Sequence, residues 1–355
     1  MSLDDYGWNG YFSERFDSLN DPALLPARVL FSSGRSCRIL SASGEVNATL
    51  AGRLRHESRS ASELPVVGDW IAYRPLAGGQ SRVERILERR SLISRKLPGN
   101  RSLEQTVAAN IDTVLVMMGL DGDYNVRRLE RLLTLAWESG ARPAVLLNKA
   151  DLCSDHDAKR AGIVEVAPEV PVVLLSCLQD PAVGMVTALI APGETAALIG
   201  SSGVGKSTLV NRLLGEEVQA TREVRQDDSR GRHTTSHREL FRLPGGGLLI
   251  DSPGIREVQL WAGGESLAMA FDDIEGLAAA CRYRDCAHAA EPGCAVVQAV
   301  GSGALPSGRL ESYRRLQAEI RALTARADPE ARSARNRRWR GIHKGMRKIN
   351  RTGRR

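Results

Sequence analysis

The sequence predicts a multidomain protein: a small N-terminal β-barrel, a central α/β domain with a phosphate-binding loop, and a mostly helical C-terminal domain built around a metal cluster. Three observations carry that prediction. Short strand-like segments recur between Ala27 and Ile93, strands and helices alternate from Thr113 onward, and Cys281, Cys286, His288 and Cys294 crowd into fourteen residues. At 355 residues, 42% hydrophobic and 5% aromatic, the chain is long enough for two or three domains and ordinary for a soluble protein.

In the barrel region the segments are Arg28 to Phe31, Cys37 to Leu40, Val46 to Leu50, Val67 to Tyr73 and Val83 to Leu87, with turn residues between them. Five short strands at this spacing fit an OB-fold β-barrel, and a generic small β-barrel fits equally. Phe31, Trp70 and Tyr73 are the aromatics able to stack on bases, and part of that set belongs to the core, so a nucleic acid here would be gripped mainly through its backbone. Residues 97–106 read as a linker.

From Thr113 the order is strand, helix (Val126 to Glu138), strand, helix, strand (Pro171 to Leu175), helix, and then a buried strand, Thr195 to Ile199. Such alternation gives a parallel sheet with helices on both faces. The last strand runs into Gly200-Ser201-Ser202-Gly203-Val204-Gly205-Lys206-Ser207-Thr208. Glycine, four residues, then Gly-Lys-Ser is the spacing at which successive backbone N–H groups and a helix N-terminus cradle phosphates. Lys206 is expected to reach the β- and γ-phosphates and the Ser207 hydroxyl to hold Mg²⁺. Leu209, Val210, Leu213 and Leu214 form the apolar stripe of the following helix, and Gly215 stops it.

Asn148-Lys149-Ala150-Asp151 follows the buried run Pro143 to Leu147, which puts it at the carboxyl end of a strand, where ligands of open α/β sheets bind. The Asp151 carboxylate can accept from N1–H and the 2-amino group of guanine. Adenine offers an acceptor and no amine there, so it leaves buried groups unpaired. Ser176-Cys177 is a weaker site of the same kind, whose backbone could touch the base. Leu248-Leu249-Ile250 leads into Asp251-Ser252-Pro253-Gly254. Asp251 is expected to hold Mg²⁺ through water, and the Gly254 N–H to sense the γ-phosphate. Taken singly, the tetrad also fits a strand-end turn, and Asp-Ser-Pro-Gly a plain β-turn. Together the four sites supply different parts of one nucleotide site. The base-reading tetrad precedes the phosphate loop by about fifty residues, the reverse of the usual order in GTPases. The central domain therefore reads as a circularly permuted α/β P-loop GTPase domain.

Six cysteines are present, and Cys37, Cys153 and Cys177 stand alone. The remaining three, with His288, offer three thiolates and one imidazole, a closed tetrahedral set suited to one structural Zn²⁺ and leaving no position for a catalytic water. Downstream, Leu310, Tyr313, Leu316, Ile320 and Leu323 mark one helix face that ends near Asp328-Pro329.

The formal charge of +7 is an average of two unlike parts. Residues 331–355 hold eleven Arg or Lys and no acid, leaving 38 basic against 42 acidic residues before them, a net of −4. A basic tail containing Trp339 and three glycines suits either a nucleic-acid contact or a solvated end. The longest clean apolar run, Val114 to Leu120, is far below the ~20 residues a membrane span needs. Asp4 and Asp5 argue against a signal peptide, so a cytoplasmic monomer with no membrane attachment is expected.

With barrel, tetrad, phosphate loop, Asp251 to Gly254 and Cys/His cluster in this order, the chain resembles the circularly permuted small-ribosomal-subunit biogenesis GTPases, the RsgA (YjeQ) family. The resemblance covers about residues 27 to 300. It implies an N-terminal OB-fold, a C-terminal zinc-binding domain, binding of the small ribosomal subunit and its rRNA, and GTP hydrolysis to GDP stimulated by that subunit late in its maturation. It implies guanine contacts from Asn148, Lys149 and Asp151, phosphate contacts from Gly200 to Thr208, and zinc ligation by Cys281, Cys286, His288 and Cys294. The domains are expected at residues 1–26 (an extension), 27–96 (OB-fold), 97–270 (permuted GTPase), 271–327 (zinc-binding and helical) and 328–355 (basic tail). Ile255 stands where many GTPases have a glutamine that orients the attacking water. Arg230-Gly231-Arg232-His233-Thr234-Thr235 matches the family's first switch, which makes His233 the candidate catalytic group beside Lys206, and Thr234 or Thr235 a further Mg²⁺ ligand. A solvated loop histidine fits the same position. The alternative function is a GTP-gated switch for nucleic acid or protein, not dedicated to the ribosome.

Overall fold

The computed structural model describes residues 2–33, 36–57, 61–96, 104–179, 182–215, 238–251 and 264–326. Its elements are α1 (Gly10–Asp17), β1 (Leu25–Ser32), β2 (Ser36–Ser41), β3 (Gly44–Leu50), α2 (Gly52–Glu57), β4 (Trp70–Pro75), β5 (Ser81–Ile86), β6 (Leu92–Lys96) and β7 (Glu104–Ala109). There follow β8 (Thr113–Gly119), α3 (Val126–Ser139), β9 (Arg142–Asn148), α4 (His156–Val166), β10 (Val172–Leu174), α5 (Ala182–Thr187), β11 (Thr195–Gly200) and α6 (Lys206–Leu214). The last are β12 (Glu239–Arg242), β13 (Leu248–Asp251), α7 (Gly264–Ala270), α8 (Asp272–Ala278), α9 (Ala295–Gly301) and α10 (Ser307–Arg326).

The first five strands close on themselves. β1 pairs with β2, β2 with β3, β3 in parallel with β5, β5 with β4, and β4 returns to β1, the five-stranded closure of an OB-fold. A bulge in β1 between Val29 and Phe31 bends that strand so that it can serve two neighbours. Ala27, Val29, Ile39, Ala48, Ile71, Tyr73 and Val83 point inward and form the barrel core. Trp70 and Tyr73 are therefore core residues rather than stacking platforms, and Phe31 is half-buried. Residues 2–24, which carry no motif, build a cap: Tyr6 and Phe12 are buried, and the Trp8 ring lies 4.8 Å from that of Trp70. Of the expected linker, residues 97–103 lie outside the described residues, while 104–106 belong to β7, which pairs antiparallel with β6, and Leu92, Ile93, Val107 and Ala108 of this pair are buried.

Beyond the barrel lies a six-stranded sheet in the order β10-β9-β8-β11-β13-β12, parallel except for β12, which also touches β1 through Phe31 and Glu239. Burial on both sides suits a parallel sheet, and its strands alternate between two cores. Val114, Val116 and Met118 of β8 face one core, shared with Leu129 and Leu133 of α3, while Leu115 and Met117 face the other, shared with Leu209, Val210 and Leu213 of α6. The first core also takes in Phe271, Ile274, Val296, Leu310, Tyr313, Leu316 and Ile320, so the C-terminal helices pack as a continuation of the α3 side.

One side chain joins barrel, cap and sheet. Arg28 is 2% exposed and donates to Gly68 O (3.1 Å), Asn110 O (3.1 Å), Thr195 Oγ1 (2.9 Å) and Tyr6 O. Burial pulls its pKa down to about 10 against the opposing charge of Asp112, which leaves it a cation at neutral pH. Thr195 begins the strand that ends in the phosphate loop. Arg28→Met is expected to cost about 2–4 kcal/mol, because several buried acceptors lose their donor at once. A urea midpoint equal to that of the unchanged protein would count against this.

Candidate nucleotide site and metal centre

Two strand connections diverge at β8 and β11: the chain leaves β8 toward β9 and β10, and β11 toward β13. The crevice at the carboxyl ends of such a pair is where open α/β sheets bind ligands. The phosphate-loop residues lie there. Gly200 and Gly205 take φ of 153° and 103°, and a β-carbon on them would strike Met117 O and Asn148 Nδ2. Both positions thus require glycine. Val204 is buried at 1% and anchors the loop in the second core, while Ser202 and Gly203 are exposed. Gly205 is the N-cap of α6 and makes no side-chain cap, so the first-turn N–H groups receive no bond from it. Lys206 Nζ donates back to Gly200 O (2.9 Å) and Ser201 O, closing the loop around its own ammonium. Ser207 and Thr208, next on the helix, are half-buried.

The Asn148-Lys149-Ala150-Asp151 tetrad meets this loop directly. Asn148 is buried at 3%; its Nδ2 donates to Val204 O (2.7 Å), and its Oδ1 accepts from Cys177 N (2.9 Å). One amide therefore ties together the ends of β9 and β11 and the Ser176-Cys177 turn after β10. Lys149 has φ of 65° and its Nζ lies 2.7 Å from Asp121 Oδ2. Ala150 is half-buried and Asp151 is exposed. Burial pushes the Cys177 thiol up to about 12, with Arg212 and Asp151 acting in opposite directions on it. Cys177 is thus a neutral thiol near the Asp151 carboxylate, useful here through its backbone N–H. Arg212 of α6 donates to Leu178 O (3.0 Å), a second tie between that turn and the phosphate-loop helix. Asp251 ends β13 beside Leu198 of β11 and is 6% exposed. Ser207 and Asp251 are among the described residues whose oxygens could ligate a Mg²⁺.

The Cys/His cluster is assembled. Its four ligand atoms lie within 4.8 Å of one another, with Cys281 Sγ to Cys294 Sγ 3.8 Å, Cys281 Sγ to His288 Nδ1 3.6 Å and Cys294 Sγ to His288 Nδ1 3.5 Å. A tetrahedral Zn²⁺ with ordinary bond lengths has S···S and S···N edges of about 3.8 and 3.5 Å. These residues fit the ion. Burial opposes ionisation of Cys281, yet the Val296 and Ala295 amides hold its thiol below the usual range, and burial keeps His288 in its neutral, ligating form. Glu291 shapes the loop by accepting from the N–H groups of Ala287 (3.0 Å), Ala289 (2.7 Å) and Ala290 (3.1 Å). Cys294 is also the N-cap of α9, accepting from Val297 N (3.4 Å).

A family model described as RsgA GTPase matches residues 86–261. A small ribosomal subunit biogenesis GTPase RsgA of Opitutus terrae is 43% identical over 98% of this chain and 97% of its own length. The chain belongs to the RsgA GTPase family. A second RsgA, from Syntrophotalea carbinolica, is 42% identical over 96% of each chain. The crystal structure of YjeQ from Thermotoga maritima shares the fold, with a TM-score of 0.64 and 23% identity over 84% of this chain and 98% of that one. The circularly permuted GTPase YloQ superposes with a TM-score of 0.63, also at 23% identity, covering 84% of this chain and 96% of its own.

For this RsgA-family chain, His233, Thr234, Thr235, Gly254 and Ile255 lie outside the described residues, as does the basic tail, 328–355. Among the described residues, no helix is long and apolar enough to cross a membrane. Asp121, the acid facing Lys149, escaped the reading of motifs. Its one signal is position: like Asp251, it follows an apolar strand at the carboxyl edge of the sheet.

Proposed function

We propose that the chain is a cytoplasmic GTP hydrolase that binds the small ribosomal subunit and its rRNA, acts late in the subunit's maturation, and converts GTP to GDP and phosphate there. The observation that carries this reading is the Asn148 amide, bonded at once to the phosphate loop and to the Ser176-Cys177 turn. It makes one site of two motifs exchanged along the chain, in a protein whose relatives are named for small-subunit biogenesis. Asp151 selects guanine, the loop from Gly200 to Thr208 wraps the phosphates, and Lys206 leaves Gly200 O for the β- and γ-oxygens. Ser207 and Asp251, with Thr234 or Thr235, would hold Mg²⁺, which would supply positive charge to those oxygens. His233 positions the attacking water, and Gly254 senses the γ-phosphate. Cys281, Cys286, His288 and Cys294 would hold a Zn²⁺ that fixes the shape of the C-terminal module, the basic tail provides phosphate contacts to rRNA, and the protein acts as a monomer.

Partner-dependent GTPases wait for order or charge from the partner. Hydrolysis is expected to rise by about tenfold or more when purified small subunits are added. A rate indifferent to them favours a GTP-gated switch with another target, and ATP competing as well as GTP removes the guanine assignment.

A further inference from the structure

Asp121 lies in the loop between β8 and α3, outside every motif of the nucleotide site. Its strand ends level with the tetrad, since Gly119 pairs with Asn148 across β8 and β9, and Leu120 N donates to Asn148 O (2.8 Å). Gly119 has no side chain to hold the Asp121 carboxylate off, as a β-carbon there would meet Asp121 Oδ1 at 2.5 Å. That oxygen accepts from Asp123 N (3.2 Å), and Asp123 Oδ2 accepts from Gly119 N (3.1 Å), which fixes the turn. The other oxygen, Oδ2, receives the Lys149 ammonium at 2.7 Å. Burial pushes the Asp121 pKa up, but the Lys149 ammonium and the Asp123 N–H override it and hold the carboxyl ionised. Lys149 departs from its neighbours by its left-handed backbone, a conformation that costs a non-glycine residue on the order of 1 kcal/mol and that persists where contacts over-determine it.

We propose that Asp121 is a positioning residue for guanine-nucleotide binding: it pins the Lys149 ammonium so that the four-carbon stem is laid out in advance as an apolar cover for one face of the purine ring. This rests on the base-pocket assignment above. A free lysine side chain loses much rotamer freedom when it is immobilised against a ligand. Asp121 removes that loss before the nucleotide arrives, which is preorganisation, and its effect falls on affinity. The stem covers any purine, so Asp121 strengthens binding while Asp151 chooses the base.

The test is a double-mutant cycle on the full chain, with GDP affinity read by calorimetry and GTP turnover read alongside. Asp121→Ala is expected to raise the GDP Kd and the GTP KM about two- to fivefold, the range open to a partly exposed ion pair, with kcat at saturating GTP little moved. Asp121→Asn keeps an acceptor and is expected to recover part of the affinity. Lys149→Ala alone and with Asp121→Ala should give the same Kd, because the carboxylate has nothing left to position. Additive effects of the two changes overturn the proposal while leaving the pocket standing. A Lys149→Ala protein that binds GDP as tightly as the unchanged one overturns the pocket and the proposal together.

Discussion

Replacing Lys206 by alanine is expected to lower kcat/KM for GTP about a thousandfold, which is ~4 kcal/mol of transition-state stabilisation. The reason lies in where the ammonium sits. Lys206 Nζ bridges Gly200 O and Ser201 O at the head of the loop, so its charge is already within the ring of atoms that faces the phosphates. Reaching the β- and γ-oxygens exchanges those two neutral acceptors for anionic ones, and the exchange grows more favourable as charge builds on the transferred phosphoryl group. Binding should suffer less than turnover. The fold itself should hold, since Val204, Leu209 and Val210 anchor loop and helix through apolar burial that the substitution leaves intact. Lys206→Arg should restore little, because a longer planar fork does not fit the space of a point charge closed in by Gly200 and Ser201. Single-turnover GTP hydrolysis with a parallel GDP Kd checks this; a Lys206→Ala protein within tenfold of the original rate removes Lys206 from the chemistry.

The nucleotide motifs could be read from sequence because their chemistry admits few residue types. Gly205 is demanded by its φ of 103° and by the Asn148 amide against which a β-carbon would collide, and a constraint that strict leaves a residue pattern. The metal set was legible for the same reason, since only thiolates and imidazole at short spacing make that tetrahedron. Other features are decided by partners far along the chain. Arg28 sits in an apolar strand and looks like a surface charge, yet its acceptors come from Tyr6, Gly68, Asn110 and Thr195. The Leu-Pro-Gly-Asn tract after Lys96 signals a connection, whereas the burial of Ile93, Val107 and Ala108 that pairs its flanks is supplied by the large core. Asp121 belongs with these. Its pairing with Lys149 follows from the register of β8 on β9, which no local pattern expresses. The sharing of one core by α3 and the C-terminal helices was hidden too, because an apolar helix face does not say which surface it will cover.

That shared core makes metal loss the other large effect. Structural zinc contributes on the order of 10 kcal/mol in small modules, comparable with the whole stability of an ordinary domain. Cys294→Ser is therefore expected to abolish one-to-one zinc retention and to melt α8, α9 and the start of α10, seen as lost helical circular dichroism and an earlier first unfolding transition. The damage has a route inward. The His288 ring lies 6.1 Å from Tyr313, whose hydroxyl donates to Glu275 Oε1 (2.8 Å) and whose ring meets Phe271 at 5.5 Å. The Arg309 guanidinium rests 4.2 Å over Phe271 and binds Glu130 of α3 (2.7 Å), Asp273 of α8 (2.9 Å) and Ala270 O (2.8 Å). When the module loosens, Glu130 loses its cation and the outer face of α3 loses its cover. GDP binding should survive in weakened form, since the phosphate loop, α6 and the Ser176-Cys177 turn are supported by the core on the opposite face of the sheet. A Cys294→Ser protein that keeps its helices and its first transition would show the cluster to be a set of packed thiols. One that loses GDP binding outright would show that the two faces of the sheet stand or fall together.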